Sequence, residues 1–98
     1  MDLNKFGKRA YTCALKRGKI HEQSDSYALH AETVAGLVEE FNEVINADET
    51  YKSSHLEAYS EVVEELADIA IASLTELYRR GVNIEEVLHE KMKYNENR

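Results

Sequence analysis

Glu61-Val62-Val63-Glu64-Glu65-Leu66-Ala67-Asp68-Ile69-Ala70-Ile71-Ala72-Ser73-Leu74-Thr75-Glu76-Leu77 is the stretch on which the fold turns. Val62, Val63, Leu66, Ile69, Ala70, Leu74 and Leu77 recur at steps of three and four, the period of a helix. Ala67, Ile71 and Ala72 carry apolar character further round the cylinder. A helix apolar on most sides must be covered on most sides. Ninety-eight residues make one domain, 1–98, with two other long helices and a short one to do the covering. The expectation is therefore a homo-oligomer, a dimer or tetramer, with this helix in a bundle core built by two or more copies.

Working outward, the chain reads as helical almost throughout. There is no proline and there are only four glycines, so little interrupts a helix. A first helix is expected over 2–17, with Leu3, Phe6, Ala10 and Cys13 at helical spacing and Gly18 as its stop. After a polar loop, Ser24, Asp25 or Ser26 is placed to cap a second helix. That helix runs to about 46 on a stripe of Val34, Leu37, Val38, Phe41 and Ile45. Ser54 and Glu57 have capping-box spacing and predict the start of helix three, which closes at Gly81 after Arg79-Arg80. Asn83 and Glu86 repeat that spacing at the start of a fourth helix. Strand-type alternation is absent, and the fold class is all-α with three to four helices.

A net charge of −7 argues against duplex nucleic acid or an anionic membrane as partner, while leaving room for a small anion carried by a metal. No apolar run has membrane-span length and the N-terminus lacks signal-peptide layout, which with the single Cys13 suggests a reducing cytoplasm. Cys13, among Ala10, Ala14 and Leu15, reads as a buried structural thiol.

Acids interrupt helix three at chosen places. Glu61, Glu65 and Asp68 share one stripe at i, i+4 and i+7, followed on it by the small Ala72. Helix two carries Glu39-Glu40-Phe41-Asn42-Glu43, with Glu40 and Glu43 a turn apart and Gly36 a turn earlier. A mid-helix glycine costs about 1 kcal/mol against alanine and suggests close approach by a ligand. Two acid pairs on adjacent helices gather four carboxylates, the oxygen-rich donor set that Mg²⁺ takes. Such pairs are more often plain solvated faces. Glu65 and Asp68 stand out because their helix is so apolar; periodicity alone leaves Glu43 in solvent.

On helix four, Ile84, Val87 and Leu88 mark an inward face that Lys91, Asn95 and Arg98 continue. Lysine, an amide and a forked guanidinium suit phosphate oxygens, although a basic tail answering the helix dipole gives the same pattern. Glu86-x-x-His89 has di-iron spacing but points away from that face, and no second copy of it exists. His21, His30 and His55 lie in or beside loops or helix starts, where surface roles are the default.

Glu40-Phe41-Asn42-Glu43, then Glu65-Leu66-Ala67-Asp68 and its surroundings, then Gly81-Val82-Asn83-Ile84-Glu85-Glu86 and a closing Lys91-Met92-Lys93-Tyr94-Asn95-Glu96-Asn97-Arg98, resemble the MazG-like nucleotide pyrophosphohydrolases. The likeness is close over 36–98 and looser over the first helix, which ends Lys16-Arg17-Gly18. It implies an all-α oligomer that hydrolyses a nucleoside triphosphate, a deoxynucleotide for preference, to the monophosphate and pyrophosphate with Mg²⁺ or Mn²⁺. It further implies Glu40, Glu43, Glu65 and Asp68 as metal ligands, with Lys91, Asn95 and more weakly Arg98 on phosphates. Glu39 or Glu61 then serves as general base or as an orienter behind the ligands. The aromatic that the family often places after the first-helix glycine is missing, since Lys19-Ile20-His21 stands there, so base stacking is either absent or passes to a tyrosine such as Tyr27. Two rival readings remain: a non-catalytic helical oligomer that serves as an interaction module, and a di-iron carboxylate protein.

Overall fold

The computed structural model describes residues 1–98 and contains four helices and no strand. They are α1 (Leu3–Lys16), α2 (Ser26–Asn46), α3 (Glu61–Arg79) and α4 (Ile84–Glu96). The fold is all-α, as the periodicity implied. Local chemistry explains most boundaries. Asp2 caps α1 by accepting from the backbone N–H of Asn4 and Lys5, Asp25 caps α2 through Tyr27 N–H, and Asn83 caps α4 through Glu86 N–H. Gly18 and Gly81 follow α1 and α3 at φ of 73° and 75°, left-handed conformations that cost glycine no Cβ clash.

The beginning of α3 departs from expectation. The Ser54–Glu57 spacing does not open it; the helix starts at Glu61, with Ser60 Oγ accepting from Val63 N–H at 3.2 Å. Ser53 is the reason. Its hydroxyl accepts from the N–H groups of His55 (3.1 Å) and Leu56 (2.9 Å), and its own N–H donates to Tyr59 O (2.9 Å). Those bonds curl 53–59 into a tight loop, which Glu61 N–H closes onto Tyr51 O at 2.9 Å.

The chain packs as two compact units, with the boundary inside α3. Residues 1–21 and 74–98 form one. Here α1 lies against α4, and Ile84 is fully buried. Gly7 faces the Ile84 side chain and Tyr78 Cβ so closely that an added methyl would collide with the Ile84 tip. Asn4 fastens the two helix starts, donating from Nδ2 to Asn83 Oδ1 (3.1 Å) and accepting from Ile84 N–H (2.7 Å). Leu3 N–H donates to Glu85 Oε1 at 2.9 Å. Arg79, with a nearly buried side chain, pairs with Glu76 and donates to His21 O at 2.8 Å. The basic pair Arg79-Arg80 thus anchors to Glu76 besides answering the helix end.

Residues 22–73 form the second unit, with α2, the 47–60 segment and α3 up to Ser73. Its surface differs from the one the sequence suggests. Val34, Val38, Phe41 and Ile45, expected to face a core, are 46%, 53%, 59% and 63% exposed in the single chain. On α3, Val63, Leu66 and Ile71 are exposed as well. Gly36 has open space where a Cβ would stand, so no contact within the chain requires a glycine there. Cys13 is exposed rather than buried, because α1 turns the Gly7–Ala10 side inward instead. No helix is long and apolar enough to cross a membrane.

Candidate metal centre

Helix α2 presents Glu40 and Glu43 one turn apart, and α3 presents Glu65 and Asp68 likewise. The four carboxylates meet: one oxygen from each lies within 4.8 Å of all the others. Glu40 is 7% exposed, Glu65 and Asp68 are half-buried, and only Glu43 is open to solvent. Sequence periodicity therefore judged the exposure of Glu43 correctly and missed where its carboxylate reaches.

The assembly is electrostatically strained. Burial first, then a hydrogen bond with Glu43 and the charges of Glu43, Asp68 and Glu64, push Glu65 up to about 7. Near neutral pH Glu65 therefore keeps its proton part of the time, beside its hydrogen-bond partner Glu43. Glu65 Oε2 is also buried without a hydrogen-bond partner. A buried oxygen with nothing to bond is costly, and a cation restores both the missing bond and the charge balance. The donors are all hard carboxylate oxygens, with no cysteine or histidine in the group, a set that fits Mg²⁺ or Mn²⁺.

The two acids considered as base are not part of the group of four. Glu39 is exposed on α2. Glu61 holds the loop, its Oε1 accepting from Asp48 N–H at 3.0 Å. On α4 the inward stripe is only partly inward. Ile84 is buried, Leu88 is 38% exposed, and Lys91 is exposed with its Nζ resting 4.7 Å over the Tyr94 ring. Asn95 is half-buried and its Oδ1 is enclosed without a hydrogen-bond partner. Arg98 lies beyond the C-cap Asn97 and is exposed. Glu86 and His89 are both exposed on α4. Tyr27 is exposed at the first turn of α2, while Ile20 is buried.

One constellation escaped sequence reasoning. Glu64 accepts from the Ser53 hydroxyl through Oε1 and lies 2.8 Å from His55 Nδ1 through Oε2. Glu64 is held below its usual value by the Ser53 and His55 hydrogen bonds. His55 is raised, first by its bond to Glu64 and the Glu64 charge, then by the charges of Asp68 and Glu65. Nothing in the spacing pairs residues 53, 55 and 64; the loop does. No family model, curated protein or solved structure matches this chain.

Proposed function

We propose that this chain is a Mg²⁺-dependent nucleotide pyrophosphohydrolase, cutting a nucleoside triphosphate to the monophosphate and pyrophosphate. The observation that carries the reading is the convergence of Glu40, Glu43, Glu65 and Asp68, with Glu65 holding its proton to about pH 7 and one of its oxygens buried and unbonded. The resemblance to MazG-like enzymes, on the same four acids, supplies the reaction class. When bound, Mg²⁺ or Mn²⁺ neutralises charge on phosphate oxygens and orients the attacking water. Glu40, Glu43, Glu65 and Asp68 would hold the ion. Glu61 is committed to the 47–60 segment, so Glu39 is the freer group to take the water's proton. The resemblance also assigns Lys91, Asn95 and Arg98 to phosphate, as ammonium, amide and guanidinium donors.

The active form is a homodimer or homotetramer. What supports this is the row of exposed apolar side chains on α2 and α3, beside a set of buried apolar side chains limited to Ala10, Ile20 and Ile84. The same row would suit an oligomeric interaction module without turnover. A free thiol at Cys13 suits a cytoplasmic setting. The test is product analysis on a panel of ribo- and deoxynucleoside triphosphates with Mg²⁺. Monophosphate and pyrophosphate are expected; a diphosphate product, or none, rejects the assignment.

A further inference from the structure

Residues 22–73 contain a single Lys or Arg, Lys52, among thirteen Asp and Glu. A polyphosphate approaching four clustered carboxylates there meets almost no positive charge from this unit. Besides Lys52, only His30 and His55 can become cationic, and it is His55 that the 47–60 segment ties to α3.

The tie is built with care. Ser53 is 2% exposed and spends its hydroxyl three ways, accepting from His55 N–H and Leu56 N–H and donating to Glu64. Glu64 spends one oxygen on Ser53 and the other on the imidazole. The carboxylate at Nδ1 fixes the ring's orientation and leaves Nε2 as the outward nitrogen, the device by which proteins aim a histidine at a ligand. The ring itself is 79% exposed. An ion pair so open to water contributes little to stability, so the fold gains little from it alone. Glu64 and Asp68 are one turn apart on α3, and the charges of both Asp68 and Glu65 act on the His55 ring. His55 is not among the four ligands, which leaves it available to a group that the ion itself holds.

We infer that His55 is a phosphate-contacting residue of this site, held through Nδ1 by Glu64 so that the ring, as the imidazolium, can donate through Nε2 to an oxygen of the metal-bound polyphosphate. The inference rests on the proposed metal-dependent reading. It assigns His55 to binding, since no bond to it is made or broken.

The test uses the full chain, with Mg²⁺ alone and with magnesium tripolyphosphate as probes. His55→Ala should weaken tripolyphosphate binding by calorimetry, and raise KM, about tenfold, the scale of one lost charge-assisted hydrogen bond. Binding of Mg²⁺ alone, and kcat, should change little. His55→Gln, which keeps a donor near the Nε2 position, should recover part of the loss. In the wild type, the His55 ring signals should move when magnesium tripolyphosphate is added. Circular dichroism checks that His55→Ala keeps its helicity, and His55→Gln covers the case in which it does not. If wild type binds and hydrolyses triphosphates while both variants stay within twofold of it, His55 has no such role and the metal reading stands. If wild type neither binds magnesium tripolyphosphate nor turns over nucleotides, both fall together.

Discussion

A carboxyl that keeps its proton to about pH 7, as Glu65 does, binds that proton more tightly in the folded chain than in the unfolded one. Between the ordinary carboxylate range and pH 7, the folded state holds a proton that the unfolded state has lost. The metal-free protein should therefore lose stability as pH rises from about 5 to 7.5, since stability falls wherever the folded state binds more protons. Added Mg²⁺ should restore the melting temperature most at the high end of that window, because ligation requires the deprotonated carboxylate. Thermal melts across pH, with and without Mg²⁺, check both statements; a flat apo profile would remove the strain on which they depend. At this scale the sequence was partly legible. Glu65 and Asp68 stood out because acids at i and i+3 in a highly apolar helix need a reason. Glu43 did not, because exposure at its Cα says little about where a flexible carboxylate ends. His55 was invisible, since it lies on a loop whose path toward Glu64 depends on the Ser53 hydroxyl.

Among the elements, local boundary signals could be read: Asn83 caps α4, Gly18 and Gly81 follow helices at positive φ, and Asp25 caps α2 from among the three candidates Ser24, Asp25 and Ser26. The α3 start could not, because Ser53, Ser54 and Ser60 are equivalent caps until the loop chooses among them. Gly7 was equally silent, its importance arising only where α1 meets α4. Gly7→Val would force a branched side chain against Ile84 and the neighbouring Tyr78. It should destabilise the protein by about 1–3 kcal/mol, the usual cost of overpacking a tight contact, as denaturant unfolding would read. On α4, Lys91 tests whether the exposed basic end meets substrate. A phosphate-binding role calls for a loss of about tenfold or more in kcat/KM on Lys91→Ala at fixed ionic strength. A lysine that merely lies over Tyr94 would leave kinetics unchanged.

For the whole molecule, the helical period found the apolar stripes but could not say whether this chain or another covers them. Val34, Val38, Phe41 and Ile45 have the spacing of a core face and the exposure of an interface. Val34→Glu places a charge in that row, away from the four acids. In an obligate oligomer it should dissociate the assembly and lower the melting temperature together, whereas on a monomer surface it should be nearly silent. Light scattering beside thermal melts separates the two outcomes. The central claim is that the four carboxylates act as one metal unit for pyrophosphate release. Its most direct measurement is Mg²⁺-dependent pyrophosphate release by wild type and Asp68→Ala at matched assembly state. Robust release by wild type and its loss in a variant of unchanged helicity and oligomeric state is the expected result. An Asp68→Ala protein that retains most of the wild-type rate would contradict the claim.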